Sequence, residues 1–118
     1  MSFEGMLVQD VYVLRAGVMV DRYNDALPDW DNATSTPTKA WIYQRNSEEE
    51  HGQGRDAHLQ EWRAYVRYDA DVSAKDRIVW PIRGLTFEVD GPPRASYRPT
   101  GSGPQLHHLE CDLKHVAG

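Results

Sequence analysis

The densest chemistry in this chain lies near its C-terminus, in His107-His108-Leu109-Glu110-Cys111-Asp112-Leu113-Lys114-His115. Three histidines and the chain's single cysteine fall within it. Imidazole, thiolate and carboxylate are all good zinc ligands, so the backbone decides whether they can act together. On a helix, His108, Cys111, Asp112 and His115 share one face. On a strand, Leu109, Cys111 and Leu113 point one way, and His108, Glu110, Asp112 and Lys114 the other. The strand reading is favoured. The apolar residues alternate with charged ones, the turn-forming Pro99-Thr100-Gly101-Ser102-Gly103-Pro104 precedes them, and no N-cap with a Glu or Gln three residues on is present. A strand divides the ligand set between two faces, which argues against a metal site.

Other chemistry-bearing groups are weaker. Ser47-Glu48-Glu49-Glu50-His51 holds three adjacent carboxylates and a histidine. Consecutive glutamates in a loop are ordinarily solvated. Asp69 and Asp71 read as turn formers. Ser102 lies in a turn, outside any nucleophile elbow, and there is no P-loop and no dinucleotide fingerprint. At least two of the four tryptophans are expected in a core or an interface, because each covers a large apolar area.

The elements that would position these groups read as strands. Asp10–Val20 is rich in β-branched and aromatic residues, with Gly17 marking a bend or bulge and Asn24-Asp25 a hairpin turn. Residues 31–38, DNATSTPT, read as a polar connector. In Lys39–Arg45, Trp41 and Tyr43 face opposite to Ala40, Ile42 and Gln44. His58–Tyr68 fits a strand better than a helix, with Trp62, Ala64, Val66 and Tyr68 on its apolar face. Residues 69–76 form a loop. Arg77–Pro81, Leu85–Gly91 and Arg94–Arg98 complete the series. The fold class is therefore all-β. About six to eight short antiparallel strands form a small closed or partly closed β-barrel with one long inserted loop. Residues 1–9 are an N-terminal arm and 10–118 a single domain.

With 118 residues, 18 acidic and 13 basic side chains and a net charge of −5, the chain is unlike a general nucleic-acid binder. One cysteine excludes an internal disulfide. No run approaches the roughly 20 apolar residues of a membrane helix, and the N-terminus lacks a secretory signal pattern.

The order of VYVLRAG, DRYNDALPDW, SEEEHGQGRD, ADVSAKDRI and GLTFEVDGPP resembles the head-to-tail stopper proteins of long-tailed bacteriophages, especially those infecting actinobacteria. The most specific part is Asp76-Arg77-Ile78, followed after a glycine-containing turn by Phe87-Glu88-Val89-Asp90-Gly91. The resemblance runs from about residue 10 to 116; it departs from the family at Asn24-Asp25-Ala26-Leu27 and at Pro81, both in turns. It implies a non-enzymatic, cofactor-free virion protein of the neck, assembled in the host cytoplasm. Its subunits form a six- or twelvefold ring. A head–tail adaptor or portal-side ring lies above and a tail terminator or tail tube below. The ring closes the channel over packaged double-stranded DNA without reading its sequence.

Two segments are candidate contacts in such an assembly. Asn46, Ser47, Glu48, Glu49, Glu50, His51, Gly52, Gln53, Gly54, Arg55 and Asp56 contain no apolar residue and suit a loop facing the channel or a partner. Phe3, Met6 and Leu7 suit an arm reaching a neighbouring ring. Competing readings are another neck ring (terminator or adaptor), a metal enzyme using His108, Cys111 and His115, and a barrel binding single-stranded nucleic acid through aromatics.

Overall fold

A computed structural model describes residues 7–48 and 58–116. Seven strands appear in chain order: β1 (Gln9–Val20), β2 (Ala26–Glu48), β3 (His58–Arg67), β4 (Arg77–Trp80), β5 (Leu85–Val89), β6 (Arg94–Thr100) and β7 (Gly103–His115). All pairings are antiparallel, and there is no helix among the described residues. Following β1, β2, β3, β7, β5 and β4 back to β1 closes a ring of hydrogen bonds through six strands. The seventh, β6, pairs with β7 alone. The chain is thus an all-β, partly closed small barrel. β7 makes closure possible by holding β3 on one edge through His108–Leu113, and β6 and then β5 on the other.

The core follows from strand alternation. Val11 and Val13 of β1, Ala40 and Ile42 of β2, Ala64 and Val66 of β3, Ile78 of β4, Phe87 and Val89 of β5, and Cys111 and Leu113 of β7 point inward and are buried together. Every strand of the ring contributes, as the two-residue period demands when one face of a sheet closes on itself. The loop between β3 and β4 adds Val72, and Trp62, Trp80, Leu85 and Leu109 pack against the cluster from its margins. Trp62 lies 5.0 Å from the Phe87 ring, between centroids.

The polar connector expected at residues 31–38 is instead part of β2, which runs unbroken for 23 residues. Thr34, Ser35, Thr36, Pro37 and Thr38 each face a β1 residue, from Arg15 to Val11. Polarity is a poor guide here. Threonine is β-branched and fits a pleated backbone well; its polarity shows only that the segment buries neither face. The same strand extends past the expected loop boundary, so Asn46, Ser47 and Glu48 lie in β2, opposite Gln60, Leu59 and His58. Residues 49–56 of the candidate loop fall outside the described residues.

β1 and β2 part company with the barrel at their far end. Between Arg15 and Gly17 the register shifts, so that Ala16 alone spans the four β2 residues from Trp30 to Ala33. Gly17 belongs here for want of space: a Cβ on it would sit 3.2 Å from the carbonyl oxygen of Asn32. Beyond this bulge Gly17–Val20 pairs with Ala26–Asp29 and with nothing else, forming a projecting two-stranded arm. Its turn is built on Asp21, whose carboxylate accepts the Tyr23 and Asp25 amides at 2.8 and 2.9 Å. Asn24 there takes φ 63°, a left-handed conformation that asparagine tolerates. From Ala26 to Lys39, β2 is paired on its β1 side only, and this open edge carries Pro28 and Pro37.

Strand direction gives the molecule two unlike ends. The arm, the β3–β4 loop and the tip of the β6–β7 hairpin lie at one. The β4–β5 turn (Pro81–Gly84) and the paired strand ends at Glu48 and His58 lie at the other. The radius of gyration is 16.9 Å. A fully compact domain of this length would have about 13–14 Å, and the projecting hairpins account for the excess.

Candidate assembly surface

Arg15 organises the arm end of the barrel. It follows Val11 and Val13 along β1 but stays partly in solvent, its side chain 44% exposed, while its head group reaches in to the buried Asp76. Its Nε and Nη2 donate to the two Asp76 carboxylate oxygens at 3.2 and 3.0 Å. Nη2 and Nη1 also donate to the Asp71 carboxylate at 3.0 and 3.2 Å. The Asp76 and Asp71 carboxylates hold the Arg15 guanidinium above its ordinary pKa, chiefly through the Asp76 hydrogen bonds. Asp76, the one buried charged residue among those described, also accepts the Ser73 amide at 2.8 Å. Its own backbone takes part too: the Asp76 amide donates to the Ser73 carbonyl and the Val89 amide to the Asp76 carbonyl. Lys75 is fixed at φ 69° by the bond from its amide to the Val89 carbonyl, at 2.9 Å. A non-glycine residue pays about 1–2 kcal/mol for that conformation, and the surrounding bonds offset it. Asp76-Arg77-Ile78 and Phe87-Glu88-Val89 are therefore one unit: the β4–β5 hairpin and the loop it pins across the barrel end.

Beside this clamp lies a groove of about 750 Å³ between the arm and the Ser73–Arg77 segment. Its arm wall is apolar. The cross-strand pairs Val18–Pro28 and Val20–Ala26 share one face of the arm, and Ala16 and Trp30 continue it towards the barrel. The Arg77 guanidinium stacks 4.0 Å from the centre of the Trp30 ring, and its Nε is buried without a hydrogen-bond partner. The arm face itself is uncovered, with Val18 77% and Val20 62% exposed. At the opposite end of the molecule Ile82, in the β4–β5 turn, is 81% exposed. Among the described residues these apolar groups remain largely uncovered.

The histidine–cysteine segment is strand β7. Cys111 is 1% exposed in the core, and its burial pushes the thiol up to about 12. His108, Glu110 and Asp112 lie on the outer face with Tyr65, Arg63 and Arg94 from the flanking strands. His107 is the extra residue of a bulge: β6 passes from Ser96, opposite His108, to Tyr97, opposite Leu106. The bulge brings His107 Nδ1 to 2.8 Å from His108 Nδ1, while His108 Nε2 meets Glu110 at 3.1 Å. Among the described residues no three His, Cys, Asp or Glu side chains converge on a point. The face is a packed network. Arg94 grips Asp112 through two hydrogen bonds, which lowers the Asp112 carboxyl and raises the guanidinium. Tyr43 and Tyr65 share a 3.0 Å hydroxyl hydrogen bond, which with burial pushes Tyr65 up to about 12.

Of the candidate arm residues, Phe3 and Met6 lie outside the described residues. Leu7 does not reach outward: at 7% exposure it is tucked beside Thr38, Lys39 and Ala70 of its own chain. An isolated leucine gains more by covering nearby apolar surface than by standing in water. Asp69 and Asp71 are partners of Arg67 and Arg15. The Arg15–Asp76 clamp escapes a reading by motif; its one signal in the sequence is the arginine at the third inward position of an apolar strand.

The chain belongs to the class of small all-β barrels. No protein-family model matches it, and no curated protein matches it. Among solved structures it is similar to protein SF1141 from Shigella flexneri 2a, known from a solution structure. The two share 21% identity and a TM-score of 0.60, over 99% of this chain and 98% of that one. This likeness carries the fold.

Proposed function

We propose that the chain is a head-to-tail stopper subunit of a long-tailed phage, a structural protein that rings the neck, closes the channel over packaged DNA and docks the tail. The observation that carries this reading is the uncovered apolar arm on a barrel with two unlike ends. A subunit of a ring must offer two different surfaces to its neighbours, and the apolar arm at one end and the exposed Ile82 at the other are surfaces of that kind. The motif that suggested the family forms the hairpin that closes this barrel and pins its loop, which supports a shared architecture. The net charge of −5 suits a channel that DNA passes without adhering. On this reading the protein is non-enzymatic, and the charged groups beside the groove are consumed in holding the loop.

The absence of helix among the described residues speaks against both alternatives within the neck, a helical adaptor and a terminator with helices packed on its sheet. The test is reconstruction of the assembled particle by cryo-electron microscopy, with particles lacking the protein as control. The reading expects a ring of these barrels between adaptor and tail, and heads that lose DNA and fail to join tails without it. A neck without this chain overturns it. The channel role of residues 49–56 is tested by deleting them. Heads that still retain DNA and join tails would remove the gate from the proposal and leave the ring.

A further inference from the structure

We infer that the projecting β1–β2 arm is a hinged lever. It pivots at Ala16 and the facing Trp30–Ala33 stretch, and the stack of the Arg77 guanidinium on the Trp30 ring is the clasp that sets its angle to the barrel. The inference goes beyond the neck reading and holds whatever the chain assembles with.

The ladder is broken where the arm meets the barrel. Arg15 faces Thr34 and Gly17 faces Asp29, so Ala16 stands opposite all of Trp30–Ala33. Such a bulge interrupts the hydrogen bonds that keep two strands straight, and the ribbon bends there first. The two sides of the break are held unequally. On the barrel side Arg15 is tied to Asp71, Ser73 and Asp76. On the arm side β1 has already lost β4, whose pairing ends at Leu14, and Gly17–Val20 pairs with Ala26–Asp29 alone. Trp30 directly follows Asp29, the last paired residue of the arm, and Arg77 reaches its ring from β4, 4.0 Å from the ring centre. This contact couples the arm's root to the barrel, and it is a balanced one. The aromatic face attracts the cation, but the same side chain keeps Nε buried without a hydrogen-bond partner, which offsets part of that gain. A contact of this kind favours one arrangement without locking it. Space for movement lies alongside, in the groove of about 750 Å³ between the arm and the Ser73–Arg77 segment. The buried core draws no residue from 16 to 33, so a pivot redirects Val18 and Val20 as a unit and leaves the barrel intact.

Spin labels on Y23C and I82C, at the arm tip and at the far turn of the barrel, report the angle in the full-length chain by double electron–electron resonance. Both sites are exposed, and the native Cys111 is buried and does not take a label. The parent should give one dominant distance. Arg77→Met keeps the apolar stem but removes the cation, and should broaden the distribution and add shorter distances. Trp30→Leu should do the same from the other side of the stack. Arg77→Lys keeps a cation over the ring and should stay near the parent. Hydrogen exchange separates a pivot from general loosening. In Arg77→Met the amides of residues 17–29 should exchange about fivefold faster, with those of Phe87–Val89 unchanged. The inference is overturned if both variants keep the parent's narrow distribution, or if Arg77→Lys broadens as much as Arg77→Met. It is overturned too if arm and barrel amides speed up together. Should one variant fail to fold, the other decides. None of these results touches the neck reading, which is decided on particles.

Discussion

The arm and the barrel wall are made of the same strand pair, yet they meet opposite fates. Along β1, Val11 and Val13 close against Ile78 and Phe87 and disappear from solvent. A few residues on, Val18 and Val20 keep the alternation and face water. The difference lies in the third partner. Over Tyr12–Leu14, β1 is bracketed by β2 and β4, and the sheet can curl on itself. Beyond Gly17 only two strands remain, and a two-stranded ribbon has nothing to fold its apolar face against. Burial is a property of neighbours, so identical side chains in one strand are packed away in one place and left in water in another.

That contrast can be broken from either side. The largest effect belongs to the wall. Phe87→Ala empties a fully buried site and should lower stability by about 3–5 kcal/mol, read as a fall in midpoint on denaturant unfolding. Next comes the clamp at the junction. Asp76→Ala leaves the Ser73 amide and part of the Arg15 guanidinium without their acceptor and should cost about 2 kcal/mol. The companion Asp71→Ala, at an exposed pair, should cost less than about 1 kcal/mol; equal costs would show that burial does not rank these two carboxylates.

A smaller effect is expected on the outer face, through pH. Tyr65 titrates higher in the folded chain than unfolded, so its contribution to stability is complete below the ordinary tyrosine range near 10. It should be lost as pH rises from there through about 12. Tyr43→Phe should bring Tyr65 closer to the ordinary value and weaken this alkaline dependence, leaving the part due to burial, as followed by tyrosinate absorbance. The smallest effect on stability belongs to the arm. Val18→Ser should change it by less than about 0.5 kcal/mol, while lowering any self-association measured by sedimentation. A loss of stability comparable to Phe87→Ala would mean that the arm face is covered within the chain after all.

Much of the barrel is legible because one buried face writes a two-residue period into a strand. Leu85, Phe87 and Val89 announce β5, Trp62, Ala64 and Val66 announce β3, and Leu109, Cys111 and Leu113 place the histidine cluster on a strand. Gly17 and Asn24-Asp25 mark a real bulge and a real turn. What alternation cannot report is a strand with neither face buried, and so Asp31–Thr38 passes for a connector. Nor can it tell whether an alternating run is covered, which is why the arm looks like ordinary wall in the sequence. The clamp joins residues far apart in sequence, Arg15 and Asp76, and only closure of the ring brings them together.

The two prolines on the open edge of β2 bear on how such a chain keeps before it is used. Proline is tolerated in a sheet where its nitrogen faces away from the partner strand, which for Pro28 and Pro37 is outward. The edge from Ala26 to Lys39 therefore lacks the unbroken row of donors on which a foreign strand would zip into a fibril. These two positions leave the arm's apolar side chains open to solvent while denying its backbone edge to cross-β aggregation.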